Sequence, residues 1–385
     1  MAYNRKPLPS QQEIERRYQN IRAAMERDGL NALVVCGSQY AGFEGAVLYV
    51  SGFEIVHRYV YVVLPLEGEP TLVFPREARW IGDKVKPWVK DQVWPEVPGK
   101  WLCDRGRERG WKRVGVYGMN FIMTVRDYRE LASAPFELVP FDFQFDMARA
   151  VKSDEELAEV RGAMDIIVDG FWALVAAYQP GKTEAEIMAP AVERFFARGA
   201  GPRMMNILLS GSHGEAEASF KVPGNRVVAS DDLLLYSLEV TGAGGYWVEF
   251  SRPLIAGKLS PRTQAMADAY PEALEAARKR MREGELASNV HRAVAETFAK
   301  FGFALGHLSG HGIGTTMLEY PAIGASSEVR LQENMILSLH PQVVDKDGKV
   351  CLYTQDTYRI GKTEGECLAD VKWKFYTGKE RETEN

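Results

Sequence analysis

The stretch Leu305 to Pro321, LGHLSGHGIGTTMLEYP, sets the tightest limit on how this chain folds. His307 and His311 stand four positions apart, and Gly310, Gly312 and Gly314 alternate through the same stretch. On a helix, HxxxH would put both imidazoles on one face as a metal pair. Glycine at every second position argues instead for a strand or loop, because glycine weakens helices and lets a backbone pass close to its neighbour. The segment then lines a pocket that His311 faces. The competing reading is two histidines beside a tight turn, and the rest of the C-terminal half decides between them.

At 385 residues the chain is too long for one ordinary core and suits two domains. Over residues 1–145, strands alternate with helices. Ser10 and Glu13 form a capping box for a helix running to Asp28, and the apolar run Ala32–Cys36 reads as a buried strand. Strands over Arg58–Leu66 and Thr71–Phe74 flank a hairpin-like Glu67-Gly-Glu-Pro70, followed by a helix over Glu77–Val85 and a strand over Val114–Tyr117. This is an α/β domain. A second capping box, Ser153 with Glu156, opens a helix whose apolar stripe is Leu157, Val160, Met164, Ile167, Phe171, Leu174 and Tyr178. Thr183 with Glu186 caps the next helix, which Pro190 should kink. Strands then fall over Met205–Ser210, Asp232–Val240 and Gly245–Pro253. Helices follow over Pro261–Glu283 and Ala287–Phe301, then strands over Met335–Pro341 and Cys351–Ile360. That order reads as an α+β domain of two related halves. The boundary falls between 148 and 149.

Several of these C-terminal strands carry polar groups where a core strand should not: Glu249 in GYWVEFSR, His340 after Ile336–Leu339, and Gln355 with Asp356. A bare buried polar group is costly, so these side chains need partners or a shared cavity. At this point the chain resembles the pita-bread family of methionine and Xaa-Pro aminopeptidases, prolidase and creatinase. Val47–Phe53 is similar to the creatinase-type N-terminal domain, which has a ribonuclease-H-like fold. Val151–Glu156 resembles the family's domain-junction signature, and Gly310-His-Gly-Ile-Gly314 its most specific motif. The resemblance implies domains over 1–148 (creatinase-type) and 149–385 (pita-bread catalytic).

The peptidases of this family hold two metal ions on two aspartates, one histidine and two glutamates. Carried over by position, the first aspartate falls on Leu238, eleven residues before Glu249, and the second on Glu249 itself. His311 is retained, His340 and Gln355 stand for the two glutamates, and His307 is the pocket histidine. Other family histidines fall on Leu318 and Phe220. One metal site is then expected to be lost, with too little charge and too few donors. The other, lined by Glu249, His311, His340 and Gln355, suits one Zn, Fe or Mn ion, or none. Creatinase cleaves a C–N bond without metal and also has glutamate where Glu249 stands.

The expected function is hydrolysis of a C–N bond in a small amide or amidino compound or a short peptide, at a mononuclear or metal-free site. Glu249, His307 and His311 are the expected catalytic residues, with His307 donating to the developing oxyanion. His213, Phe220 and Glu319 are the expected substrate contacts, Glu319 at the pocket mouth. The alternatives are a metal-dependent Xaa-Pro aminopeptidase or dipeptidase, a lyase on the same fold, and a non-catalytic peptide-binding module. His340 has a competing reading as a core histidine, and Tyr59, Tyr61 and Trp80 read as N-domain core. A net charge of -5 without a basic block argues against nucleic acid. The polar N-terminus, the lack of a membrane-length apolar run, and four scattered cysteines point to a cytoplasmic protein. The creatinase resemblance implies a homodimer.

Overall fold

The computed structural model describes residues 8–78 and 87–380, which form two compact units. The first comprises residues 1–150 and Thr315–Met317. It contains α1 (Gln11–Arg27), β1 (Ala32–Ser38), α2 (Gly45–Ser51), β2 (Tyr59–Pro65), β3 (Thr71–Val73) and β4 (Asp91–Val93). After these come α3 (Pro98–Glu108), β5 (Arg113–Tyr117), α4 (Val125–Leu131), β6 (Glu137–Pro140) and α5 (Asp142–Arg149). The strands make one mixed sheet in the order β4-β3-β2-β1-β5-β6. β1 is buried along its whole length, as its unbroken apolar run predicts, and β2 and β3 pair antiparallel across the expected hairpin.

Some local expectations change. Ser10 caps α1 through the Glu13 N–H, but the Glu13 carboxylate binds Arg16 and Arg17, so the capping box is not closed by it. Arg76–Ala78 is a short 3-10 turn; the rest of the helix expected over Glu77–Val85, and Trp80 with it, lies outside the described residues. Tyr61 is core, its hydroxyl donating to Asp127. The three-residue segment Thr315–Met317 joins this unit from far along the chain. It is held by Arg149, whose guanidinium donates to the Thr315 and Thr316 hydroxyls at 2.9 and 2.8 Å.

The second unit takes residues 151–314 and 318–385. It runs α6 (Asp154–Ala177), α7 (Glu184–Ala197), β7 (Met204–Gly211), β8 (Leu233–Thr241), β9 (Trp247–Phe250) and β10 (Leu254–Ile255). These lead into α8 (Pro261–Arg280), α9 (Ala287–Lys300), β11 (Ala304–Leu305), β12 (Gly310–Gly312) and β13 (Glu319–Ile323). β14 (Ile336–Leu339), β15 (Gln342–Val344), β16 (Cys351–Tyr353), β17 (Asp356–Ile360) and β18 (Gly365–Cys367) complete it. Both expected capping boxes, on α6 and α7, are formed, and α7 continues through Pro190. The α6 stripe is buried from Val160 to Tyr178, with Leu157 half-buried, and Phe171 meets Phe250 edge-on at 5.2 Å. Each fully buried side chain of this size stabilises the fold by about 1.5–3 kcal/mol.

Three sheets carry the chemistry-bearing strands: β10-β8-β7 with β9 on β8, β11-β15-β16, and β13-β12-β14-β17-β18. The alternating glycines act between strands. A Cβ on Gly310 would stand 2.0 Å from the Ser338 carbonyl, and one on Gly312 would stand 2.4 Å from that of Tyr320. Their absence lets β14 and β13 close on either side of His311.

Candidate active site

Glu249 projects from the middle of β9, and β8 pairs with that strand antiparallel. The register sets Glu239 directly opposite Glu249 and Leu238 opposite Phe250. Directly paired residues share a face, so Glu239 joins Glu249 while Leu238 turns into the core on the other side. The assignment of the first acidic position to Leu238 is therefore corrected. Counting eleven residues back from Glu249 assumes a hairpin one residue longer than the one formed. A carboxylate, not a leucine, faces Glu249. The signal was present in β8, where Ser237 and Glu239 alternate with apolar residues.

β12 and β14 bring His311 and Ser338 into register, and His340 follows the end of β14. Glu249, His311 and His340 are buried, and each offers a ligand atom within 4.8 Å of the others. The His311 Nδ1–H donates to the Gly312 carbonyl at 2.9 Å, which directs its Nε2 lone pair at Glu249 Oε1, 3.5 Å away. His340 Nδ1 has no hydrogen-bond partner among the described residues. Glu249 Oε2 accepts from Ser338 Oγ at 2.5 Å and from Gln355 Nε2 at 2.9 Å. The same Nε2 donates to Glu239 Oε1 at 3.2 Å, which Ser237 also holds. Gln355 thus turns its N–H end to both carboxylates, while its buried Oε1 has no hydrogen-bond partner among the described residues.

Burial dominates the electrostatics. It pushes Glu239 up to about 8, with the charge of Glu249 adding to the effect. It raises Glu249 to about 7, against the pull of Ser338. His311 is lowered by burial, partly offset by the Gly312 bond and by the charges of Glu239 and Glu319. His340 is driven well below the ordinary imidazole range by burial and by its neighbours His311 and His307.

A row of rings leads outward from this centre. His311 and His340 are 5.0 Å apart between centroids, His340 and His307 5.6 Å, and His307 and Phe220 6.2 Å. Tyr353 flanks the row, 5.6 Å from Phe220 and 6.1 Å from His340. Phe220 is partly exposed. His307 spends its Nδ1–H on the Leu308 carbonyl at 2.6 Å, so the neutral ring presents Nε2 as an acceptor; only the imidazolium has the donor expected for an oxyanion. Two expected contacts are placed differently from the expectation. His213 is exposed in a left-handed turn and bonded to Asp231 at 2.8 Å, outside the buried cluster. Glu319 is not at a mouth but buried, paired with Lys152 at 3.0 Å because an isolated carboxylate could not remain there charged.

An α/β unit followed by an α+β unit with a buried histidine–carboxylate centre defines a pita-bread protein with a creatinase-type N-terminal domain. The chain belongs to metallopeptidase family M24, whose family description matches residues 158–362, and the creatinase/prolidase N-terminal domain matches residues 17–151. The class of chemistry that accompanies this family is hydrolysis of C–N bonds. The Xaa-Pro dipeptidase of Pyrococcus furiosus is 22% identical over 266 residues, covering 66% of this chain and 75% of its own. The agropine synthesis cyclase of Rhizobium rhizogenes is 24% identical over 363 residues, 87% of this chain and 90% of its own. The crystal structure of dipeptidase PepE from Mycobacterium ulcerans superposes with a TM-score of 0.81 at 23% identity, over 96% of this chain and 99% of that one. Among the described residues no helix is long and apolar enough to cross a membrane. The four cysteines are unpaired.

Proposed function

We propose that this protein hydrolyses a C–N bond in a short peptide or a small amide, using one divalent cation held by Glu249, His311 and His340. The observation that carries the reading is the convergence of three buried side chains, Glu249, His311 and His340, whose ligand atoms lie within 4.8 Å of one another, with His340 Nδ1 left without a hydrogen-bond partner among the described residues. The donor set fits a cation. Ligand atoms about 2.1 Å from a tetrahedral ion stand roughly 3.4 Å apart, and His311 Nε2 lies 3.5 Å from Glu249 Oε1. The Gly312 carbonyl fixes the ligating tautomer of His311 in the manner of an outer-shell partner. Two imidazoles and a carboxylate suit Zn, Fe or Mn.

A cation there would polarise the scissile carbonyl as a Lewis acid. The chain's own groups manage protons and orientation. In the metal-free chain burial holds the facing carboxyls up, Glu239 to about 8 and Glu249 to about 7; a cation would keep its ligand Glu249 ionised, which leaves Glu239 as the carboxyl placed for proton transfer. His307 contacts the substrate, accepting from an N–H when neutral and donating to an oxyanion when protonated. Phe220 and Tyr353 offer flat apolar surface beside the scissile group. Relatives named as dipeptidases support a peptide substrate; a relative named as a synthesis cyclase supports a scaffold that accepts other small molecules as well.

The test is metal content with activity before and after chelation, using dipeptides and small amides as substrates. About one ion per chain, activity lost on chelation and restored by the ion, and loss of both in His340→Ala are expected. Turnover that survives in Glu249→Gln and His311→Ala would refute the assignment.

A further inference from the structure

The cation reading leaves Gln355 without a role, and its position is unusual. Its Nε2 lies between two buried carboxylates that face each other across a strand pair, 3.2 Å from Glu239 and 2.9 Å from Glu249. Facing acidic side chains this deeply buried ordinarily attract a cation. Here the space between them is served by an amide donor, and Ser237 and Ser338 supply further hydroxyl donors, one to each carboxylate. An N–H group has no lone pair for a cation, and its positive hydrogens occupy the side from which a second ion would approach both acids.

We infer that Gln355 limits this centre to a single divalent cation, clamping Glu239 and Glu249 by hydrogen bonds where a second ion would otherwise bind. This rests on Glu249, His311 and His340 forming a cation site. Glu239 is not a ligand in this arrangement; it anchors one end of the amide and through it helps orient Glu249. A single change of chemistry at one residue should then reset the number of ions. Gln355→Glu keeps the length of the side chain, removes both N–H donors, and sets a third carboxylate beside the existing pair. Three buried carboxylates in hydrogen-bond reach of one another must be neutralised by protons or by positive charge, and in the presence of a divalent cation the variant should recruit a second ion.

The experiment uses the full chain, stripped with chelator and re-equilibrated with Mn(II). Bound metal is counted by elemental analysis, and the ions are examined by electron paramagnetic resonance. The native protein is expected to bind one Mn(II) with the spectrum of an isolated ion. Gln355→Glu should bind two, with the spectrum of a spin-coupled pair. Glu239→Gln should still bind one, about 10-fold or less more weakly. If Gln355→Glu does not fold, as judged by circular dichroism, Gln355→Met decides. It should keep the count at one and weaken the ion by about 10–100-fold, because Glu249 loses an orienting bond. A native chain that binds two ions or none, a folded Gln355→Glu variant that stays at one, or a Gln355→Met variant with unaltered affinity overturns the inference. Failure of the hydrolase reading looks different: one bound ion with no turnover of amides or peptides sinks that reading and leaves this one standing.

Discussion

Replacing Arg252 by methionine should unseat the strand junction that holds the centre together. Arg252 follows β9 and forks onto Asp356 at the start of β17, with Nη1–Oδ2 at 3.1 Å and Nη2–Oδ1 at 2.8 Å. It also donates to the carbonyls of Ser251 and Val371, both at 2.9 Å. Its guanidinium and the carboxylate are each 3% exposed. The adjacent rung joins Ser251 and Gln355 in both directions, and Glu249 N–H donates to Thr357. The pair is therefore the clasp that sets Glu249 beside Gln355. Methionine fills similar volume, so the cost is mainly an uncompensated buried carboxylate, about 3–5 kcal/mol. That is a large share of the roughly 5–15 kcal/mol that holds ordinary domains folded. Urea denaturation of the native chain and Arg252→Met measures it. The double variant Arg252→Met/Asp356→Leu, which removes both charges, should recover more than half of the loss. The pH dependence has a definite sign. Burial already holds Asp356 above the usual range, and Arg252 opposes that shift. Without Arg252 the carboxyl rises further, so its protonated form favours the fold at low pH, and that benefit is lost as pH rises through the folded pKa. The deficit of Arg252→Met should shrink as pH falls toward 5. A loss below about 1 kcal/mol, or a double variant no more stable than the single, would refute the reasoning.

Three further expectations concern the site and its supports. In the metal-free protein, Glu239 is raised to about 8, so its contribution to stability is full below the unfolded carboxyl pKa and fades as pH rises through about 8; Glu239→Gln should flatten the fall of Tm between pH 5 and pH 8.5. Phe220→Ala, which removes the exposed ring next to His307, should raise KM several-fold with kcat little changed for any dipeptide or amide turned over; an equal fall in both kcat and kcat/KM would place the ring in the chemical step instead. Ser153→Ala removes the N-cap of α6 and should cost about 1 kcal/mol in thermal denaturation of the second unit; an unchanged midpoint would mean that the cap contributes nothing in this context.

Much of the architecture was legible because local rules and the tertiary fold agree. Ser153 with Glu156 and Thr183 with Glu186 announced two helices, and the stripe from Val160 to Tyr178 announced the buried face of the first. Glu249 and His340 stood out as polar groups in apolar strands. Glu239 was equally polar in an equally apolar strand, yet fixed spacing from Glu249 passed over it and selected Leu238. Spacing reports chain length, whereas facing is set by hairpin register, and one residue of slip reverses the face of every side chain. Glu319 failed for a different reason. Its partner Lys152 is 167 residues away, so no local pattern could show that the carboxylate is buried and neutralised.

The amino-acid sequence alone determined the two-part α/β and α+β order, the glycine-lined strand of His311, and the residue types available for chemistry, because periodicity, capping and backbone sterics act over a few residues. Tertiary structure alone decided which donors meet. It set Glu239 opposite Glu249, turned the amide of Gln355 between them, left His340 Nδ1 without a partner among the described residues, and carried His213 out to solvent. Those outcomes depend on pairings between strands more than a hundred residues apart for Gln355 and on the register of β8 against β9, which the order of residues along one strand does not encode.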